Sequence, residues 1–395
     1  MKLKTQLTIM MFLQYTIWGA WYVTLSSYLG TTLQFDGTQI GLIYGSFALA
    51  AIISPVAVGA LSDKLFSAQK VLGFLHLIGA ILLITISYQL TYKWFYILVF
   101  IYALCYMPTI ALTNAIAMRH LKQPDKDFFN IRVFGTIGWI VVGWIVAYYK
   151  LEQSESPILI ASFLSFALGV FAFLLPKTLP KSTSTTKGIK QWLGLDALSL
   201  FKNRSFIILI IASLLVSIPL SFYYSFTNLF LNDIGVNNAA GKMTLGQFSE
   251  IGFMLLLPVF FKYFGIKKVM LIAMLAWGIR YLFFAYGSLD SITLLYLGIA
   301  LHGICYDFFF VAGQVYVNQN APKTLRGSAQ GLLTQATYGV GMFLGTWLSG
   351  RVVGYYTINE MYNWKKIWVV PACIAFGVML LFAFVFKNNK ETIEN

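Results

Sequence analysis

Four ionisable side chains interrupt long apolar stretches of the sequence: Arg132, Glu250, Arg280 and Asp307. A charge surrounded by hydrocarbon is costly, so such residues usually face the interior of a helix bundle or an aqueous cavity and carry function. Guanidinium and carboxyl groups can recognise a polar solute by hydrogen bonds, and a carboxyl group can also carry a proton. Each of the four residues is therefore a candidate for a solute site or a proton site.

Arg132, Thr136 and Trp139 follow one another at i, i+4 and i+7, which is the spacing of residues on one face of a helix. A guanidinium, a hydroxyl and an indole together can bind a planar polar solute through hydrogen bonds and ring stacking. The alternative is that Arg132 simply extends to water from the end of its helix. The two companion residues favour the solute site.

Gln247 and Glu250 also share a helix face, and no basic residue lies within four positions of Glu250. Burial disfavours the charged form of a carboxyl, so we predict that Glu250 carries a proton as well as contacting solute. The alternative is a structural hydrogen bond to another helix. Asp307 is the second candidate for proton coupling, or a latch between conformations if it pairs with Arg132 or Arg280.

Other polar and aromatic residues recur at helical spacing and are typical of a cavity lining, although serine also serves helix packing. They are Gln14, Trp18 and Trp21 in the first apolar stretch, and Ser217, Ser221, Tyr224 and Asn228 in the seventh. His302 and Tyr306 share a face in the tenth stretch. We predict that Ser221, Tyr224, His302 and Tyr306 contact solute, the alternative for His302 being a hydrogen bond between helices.

The elements that position these residues follow from composition. Of the 395 residues, 58% are hydrophobic and only 11% are charged, against about 25% charged in soluble proteins. Such a chain cannot cover a water-facing surface, which excludes a soluble enzyme, a nucleic-acid-binding domain and a disordered protein. The three cysteines show neither metal-ligand nor disulfide spacing, and we expect no metal and no cofactor.

Twelve apolar stretches are long enough to cross about 30 Å of hydrocarbon as helices. They are 4–29, 40–61, 71–90, 94–117, 128–149, 157–175, 206–231, 244–264, 269–286, 292–317, 332–353 and 367–386. The sequence therefore predicts an all-α membrane protein with twelve transmembrane helices in two six-helix halves. Two such halves around a central site are typical of a transporter.

A polar segment in the middle of the chain divides these halves. We predict an N-terminal half at 1–175, a cytoplasmic linker at 176–204, a C-terminal half at 205–387 and a cytoplasmic tail at 388–395. If both termini are cytoplasmic, 20 basic residues fall on the inner side and 6 on the outer side. Because Lys and Arg concentrate in cytoplasmic loops, this imbalance predicts that orientation and accounts for the net charge of +14.

The loop after the second stretch reads GALSDK at 59–64, with Gly59, Asp63 and Lys64 as its characteristic residues, and KYFGIKK at 262–268 is a degraded echo after the eighth. The spacing of a glycine, three residues, an aspartate and a basic residue resembles the loop signature of the major facilitator superfamily. This resemblance implies that the loop takes part in conformational change.

More specific stretches resemble the bacterial nucleoside–proton symporters over nearly the whole chain. They include WGAW at 18–21, YMPT at 106–109, IRVFGTIG at 131–138, QFSE at 247–250, DFF at 307–309 and SAQG at 328–331. The resemblance implies proton-coupled nucleoside import by alternating access across a bacterial cytoplasmic (inner) membrane. It also implies a central site built from the fifth, seventh, eighth and tenth spans.

Within that pattern, the matching positions are Arg132, Thr136, Gln247, Glu250 and, as an aromatic residue, Tyr306. Trp139 stands where the family has a smaller aromatic ring, so stacking is kept while the shape of the pocket changes. Ser221 and Tyr224 replace amide side chains, which leaves the preference among bases open.

The alternative function is a proton-coupled sugar or oligosaccharide symporter of the same fold, since aromatic stacking and charged hydrogen bonding also suit pyranosides. A membrane-embedded enzyme is disfavoured, because the polar groups lie within spans and form no nucleophile or metal constellation. We expect the partners to be a nucleoside, protons and the lipid bilayer, with no nucleic acid, and the protein to be a monomer.

Overall fold

The computed structural model describes residues 2–64, 66–121, 123–179 and 195–386, and these are overwhelmingly helical. The main helices are α1 (Leu3–Trp21), α2 (Gly37–Lys64), α3 (Ala68–Ser87), α4 (Tyr92–His120), α5 (Pro124–Tyr148), α6 (Ser156–Ala172), α7 (Arg204–Asp233), α8 (Leu245–Tyr286), α9 (Ile292–Ala300), α10 (His302–Tyr306), α11 (Ala312–Asn320), α12 (Arg326–Thr334), α13 (Met342–Tyr355) and α14 (Trp364–Val385). Every predicted span coincides with one of these helices, a part of one or a run of short ones.

Eight helical stretches among the described residues are long and apolar enough to cross a membrane, and α6 is a shorter apolar helix. The longest helix, α8, has 42 residues and measures about 63 Å at 1.5 Å per residue, about twice the thickness of a bilayer core. Gly265 interrupts it with φ 70° and ψ 165°, a backbone conformation that is open almost only to glycine. The eighth and ninth predicted spans are therefore the two arms of α8.

The chain forms two compact units. The first comprises Met1–Thr186 together with Asn237–Gly241, and the second comprises Lys187–Val236 and Lys242–Asn395. Within the first unit, α1 packs against α5 and α6, α3 packs against α4 and α6, and α2 packs against α4. Within the second unit, α8 packs against α10 and α14, and α7 packs against α13 and α14.

The contact between α1 and α5 depends on a glycine. A Cβ atom at Gly138 would lie 2.3 Å from the Oγ1 atom of Thr16 and 2.7 Å from the carbonyl oxygen of Phe12. The backbones of the two helices thus approach more closely than any larger residue would allow. This contact sets the aromatic residues of α1 beside the polar stripe of α5.

In the part of the chain that the structure describes, three π-helical segments interrupt the regular helices: Tyr28–Thr32, Asp307–Val311 and Gln335–Gly341. The second joins α10 to α11, so that α9, α10 and α11 form one run that is also broken at Leu301. The third joins α12 to α13. Such wide turns are often found at functional sites, and the second segment begins at Asp307, a candidate for proton coupling.

A short antiparallel hairpin of β1 (Thr357–Ile358) and β2 (Met361–Tyr362) precedes α14. The indole of Trp364 donates a hydrogen bond of 2.7 Å to the Oδ2 atom of Asp233 at the end of α7. Burial, assisted by the negative charge of Asp233, raises the pKa of Tyr362 to about 12. Tyr362 stacks on Trp364 at 4.8 Å between ring centres, so the hairpin is tied to α7 through the indole–carboxylate bond of Trp364.

Some predicted features cannot be placed. The side chains of Gly59, Asp63 and Lys64, at the end of α2, lie outside the described part of the structure, as do residues 180–194 of the predicted linker and the tail at 388–395. After the linker, a 3-10 helix covers Leu195–Lys202, and the side chain of Asn203 accepts hydrogen bonds from the first amides of α7.

Candidate solute-binding site

In the first unit, Arg132 of α5 stacks on Tyr15 of α1, with its Cζ atom 3.7 Å from the centre of the ring. Arg132, Thr136 and Trp139 are all half-buried, whereas Tyr15 is buried. The guanidinium is therefore held within its unit by a cation–π contact and still has an accessible side. This geometry suits recognition of a solute better than extension of Arg132 into bulk water.

An aromatic cluster lies beside this arginine. The ring of Trp18 makes edge-to-face contacts with Trp139 at 5.8 Å, Tyr106 at 5.9 Å and Tyr22 at 5.3 Å between ring centres. Trp18 and Trp139 are half-buried, so the cluster presents two indoles to a ligand. Neither Tyr22 nor Tyr106 was predicted to belong to the site. Tyr106 makes its contact between spans, which spacing within one span does not reveal, whereas Tyr22 follows Trp18 by four residues and its spacing could have indicated it.

Behind the cluster lies a buried polar network. Gln14 donates to Thr109 at 2.8 Å and its Oε1 atom is 2.9 Å from the Nε2 atom of His76, whose Nδ1 atom is 3.0 Å from Ser165. The Tyr106 hydroxyl donates to the backbone carbonyl of Gln14 at 2.7 Å. The structure therefore places Gln14 in the scaffold, fully buried, and not in the cavity lining that its spacing predicted.

Trp21, the third member of the predicted stripe on α1, is also a scaffold residue. Its side chain is almost completely buried and packs edge-to-face on Tyr102 at 5.4 Å. Of the three residues in that stripe, only Trp18 is half-buried.

In the second unit, hydrogen bonds of Ser249 bring α8 against the α9–α11 run. The Ser249 hydroxyl donates to the carbonyl of Ala300 and accepts from the amide of Gly303 at 3.1 Å. This contact sets Glu250 beside His302, with 3.5 Å between the Oε1 and Nε2 atoms. The side chain of Glu250 is 20% exposed and that of His302 only 1%, so Glu250 is the accessible member of the pair.

Two half-buried tyrosines lie against His302, and a further tyrosine contacts one of them. Tyr224 meets His302 edge-to-face at 6.1 Å, and Tyr306 lies 5.9 Å from the same ring. The hydroxyl of Tyr306 contacts the hydroxyl of Tyr338 in the third π-helical segment. Tyr224, Tyr306 and Gln247 are half-buried, as expected of residues near a cavity. Tyr338 carried no sequence signal, because neither its spacing nor its neighbours distinguish it.

Ser221 does not belong to this group. It is fully buried, donates to the carbonyl of Ser217 at 2.8 Å and lies against Met342 of α13. Its small side chain serves the packing of α7 on α13. Ser221 was predicted to contact solute, and the structure instead buries it between these helices.

Asp307 opens the second π-helical segment and is fully buried. Neither of its carboxylate oxygens has a hydrogen-bond partner among the described residues. The predicted latch between Asp307 and Arg280 is not formed. Arg280 instead stacks on Tyr223, with 3.5 Å from Cζ to the ring centre, and contacts the Nδ1 atom of His302 at 3.0 Å.

A family model described as "Nucleoside H+ symporter" matches residues 1–391. The chain is 44% identical to YegT of Escherichia coli (strain K12), over 100% of this chain and 96% of that protein. It is 37% identical to the xanthosine permease of the same strain, over 99% and 97%. The crystal structure of the nucleoside transporter NupG superimposes with a TM-score of 0.92 at 36% identity, covering 98% of this chain and 100% of that chain.

Proposed function

Because the chain belongs to the nucleoside H+ symporter family and has the major facilitator fold, we propose that it imports nucleosides together with protons by alternating access. The observation that best supports this function is the cluster on α1 and α5. There an arginine held on a tyrosine lies beside two half-buried indoles. Such a surface offers stacking to a planar base and hydrogen bonds to its polar edge.

Each unit, taken by itself, offers groups that suit part of a nucleoside. In the first unit, Trp139 stacks on the base, and Arg132 and Thr136 supply hydrogen bonds. In the second unit, the half-buried polar residues are Gln247, Glu250, Tyr224 and Tyr306, with His302 buried behind them. Amide, carboxyl and phenol groups are suited to the hydroxyls of a ribose. Ser221 contributes through packing.

Glu250 carries the coupled proton in this proposal. Its side chain is 20% exposed, lies within an apolar helix and is close to half-buried polar residues of the second unit, so a solute there can influence the proton that it carries. Asp307 is the second candidate, since it is fully buried and its carboxylate oxygens have no hydrogen-bond partner among the described residues. The loop residues Gly59, Asp63 and Lys64 take part in the conformational change. Both termini lie in the cytoplasm, and the protein is a multi-pass protein of a bacterial inner membrane.

The function is tested by uptake and counterflow in one preparation of membrane vesicles, with labelled uridine, adenosine and lactose as solutes. We expect nucleosides to accumulate in energised vesicles and a proton uncoupler to abolish the accumulation while counterflow persists. Accumulation of lactose without that of either nucleoside would instead establish the sugar symporter. Uncoupler-resistant accumulation of nucleoside would refute the coupling to protons.

A further inference from the structure

Arg280 is a fully buried cation within a membrane-spanning helix. Its Cζ atom lies 3.5 Å from the ring centre of Tyr223, 5.4 Å from that of Trp277 and 5.6 Å from that of Phe284. Among the described residues, neither Glu250 nor Asp307 forms an ion pair with it. A guanidinium cannot be deprotonated in a protein, so this position holds a permanent positive charge. Burying a charge inside the membrane is costly, and such residues usually mark a function.

The guanidinium of Arg280 faces one ring nitrogen of His302. The Nη1 atom of Arg280 is 3.0 Å from the Nδ1 atom of His302. Because a guanidinium only donates hydrogen bonds, Nδ1 must accept and therefore carries a lone pair. The single proton of the neutral imidazole is then on Nε2. Tyr223 stacks on the same ring, 4.9 Å away and inclined by 25°, and fixes its plane.

The other nitrogen points at the accessible carboxyl. The Nε2 atom of His302 has no hydrogen-bond partner among the described residues and lies 3.5 Å from the Oε1 atom of Glu250. The contact is electrostatic at this distance, and a shortening by about 0.5 Å would make it a charge-assisted hydrogen bond. Arg280, His302 and Glu250 thus form a chain from a buried cation to an accessible acid.

We propose that Arg280 is a positioning residue for proton coupling: it holds His302 as the Nε2–H tautomer, which donates to the ionised carboxylate of Glu250. This inference rests on the proposed function. When Glu250 takes up the coupled proton, its carboxyl becomes neutral and its bond to His302 weakens, so the side chain is released. His302 keeps its own proton throughout, since a second proton on Nδ1 would face the guanidinium.

Other titratable groups also act on Glu250. Asp307 and Tyr306 in the α9–α11 run interact with it electrostatically, as does Tyr223 of α7. The two phenols are uncharged and His302 stays neutral, so Asp307 is the neighbouring group whose charge could respond to the proton on Glu250. The variants below therefore leave Asp307 intact.

Two substitutions of His302 distinguish the roles of its Nδ1 and Nε2 atoms. The amide of His302→Gln reaches the position of Nε2 and can donate to Glu250, whereas the amide of His302→Asn reaches only the position of Nδ1. We expect His302→Gln to keep most proton-driven accumulation of nucleoside, and His302→Asn to lose about tenfold, the effect of one charge-assisted hydrogen bond. Both should elute like the wild-type protein in size-exclusion chromatography in detergent, which shows that they fold.

Arg280 is tested by its conservative variant. We expect Arg280→Gln to lose accumulation while counterflow persists, and Arg280→Lys to restore part of the accumulation because it keeps the charge. His76 provides the matched control, since it is an equally buried imidazole whose nitrogens face Ser165 and Gln14 and no carboxylate. Substitutions of His76 should lower accumulation and counterflow in parallel.

The tautomer is measured independently of transport. The chain has three histidines, so ¹⁵N NMR of histidine-labelled protein gives few signals, and His302→Gln assigns the one in question. We expect the neutral Nε2–H form of His302 at every pH where the protein is folded. A neutral Nδ1–H form, an imidazolium, or wild-type accumulation in Arg280→Gln would overturn the inference. A wild-type protein without nucleoside counterflow would instead overturn the proposed function and leave the NMR result valid.

Discussion

Two arginines in this protein make the same contact for different purposes. Arg132 lies 3.7 Å above Tyr15 and Arg280 lies 3.5 Å above Tyr223, so both guanidiniums rest on a phenol ring. Arg132 is half-buried and retains an accessible side, whereas Arg280 is fully buried. The first is therefore available to a solute, and the second acts only on other side chains.

Removal of Arg132 should weaken binding specifically. A solute that loses its hydrogen bonds to a guanidinium leaves polar groups unmatched, at a cost of about 1–3 kcal/mol. We expect Arg132→Ala, and likewise Gln247→Ala, to bind uridine about ten- to a hundredfold more weakly in an equilibrium binding assay. Arg119→Ala is the matched control, because that guanidinium bonds to the backbone carbonyl of Leu179. Wild-type affinity in folded Arg132→Ala protein would place the solute elsewhere.

Glu250 and Asp307 are separated by amide substitutions. Glu250→Gln preserves the shape and most hydrogen bonding of the side chain but cannot titrate. We expect it to abolish accumulation of nucleoside against a gradient while exchange continues, as measured in energised and de-energised vesicles. Asp307→Asn should accumulate nucleoside if Glu250 is the carrier. If Glu250→Gln still accumulates nucleoside and Asp307→Asn does not, Asp307 carries the coupled proton.

Residue spacing predicted only part of the candidate site. It set Arg132, Thr136 and Trp139 on one face, and the three side chains are indeed half-buried together. Tyr15, Tyr106 and Tyr338 could not be found in this way, because their contacts are made between helices and follow from packing.

At the scale of elements, α8 offers a clean test of backbone strain. A Cβ atom at Gly265 would meet nothing within 4 Å, and the same holds for Gly252 in the first arm of the helix. Of these two glycines, Gly265 has a positive φ and Gly252 does not. The two positions therefore differ in backbone conformation and not in available space. We expect Gly265→Ala to destabilise the protein by about 1–3 kcal/mol and Gly252→Ala to leave it unchanged or more stable. Thermal unfolding in detergent measures both, and equal melting temperatures would show that the turn tolerates alanine.

The helices themselves were largely predictable, since burying a polar backbone in hydrocarbon leaves an apolar chain few options other than helix. The predicted spans at 244–264 and 269–286 correspond to the two arms of α8. The π-helical segments were not predictable. Hydropathy indicates only which residues are apolar. It does not distinguish an α-helix, in which an amide bonds to the fourth preceding carbonyl, from a π-helix, in which it bonds to the fifth.

At the scale of the whole molecule, the imbalance of 20 basic residues against 6 makes a prediction about orientation. Reporter tags at the amino terminus, at the carboxyl terminus and within 176–204 should all report a cytoplasmic location. A tag after Asp290, between α8 and α9, is the control and should report the opposite side. A periplasmic signal from either terminus or from the linker would require a different number of spans.

The pair formed by Trp18 and Trp139 gives the molecule an optical property. Their indoles lie 5.8 Å apart on the half-buried face of the first unit, where the emission of an indole depends on the water and rings beside it. A base that stacks on Trp139 would displace that water and offer a π-system for quenching. Occupancy of the protein should therefore be readable as a change in its intrinsic fluorescence, without any label, and Trp139→Phe should remove most of that change while the other tryptophans continue to emit.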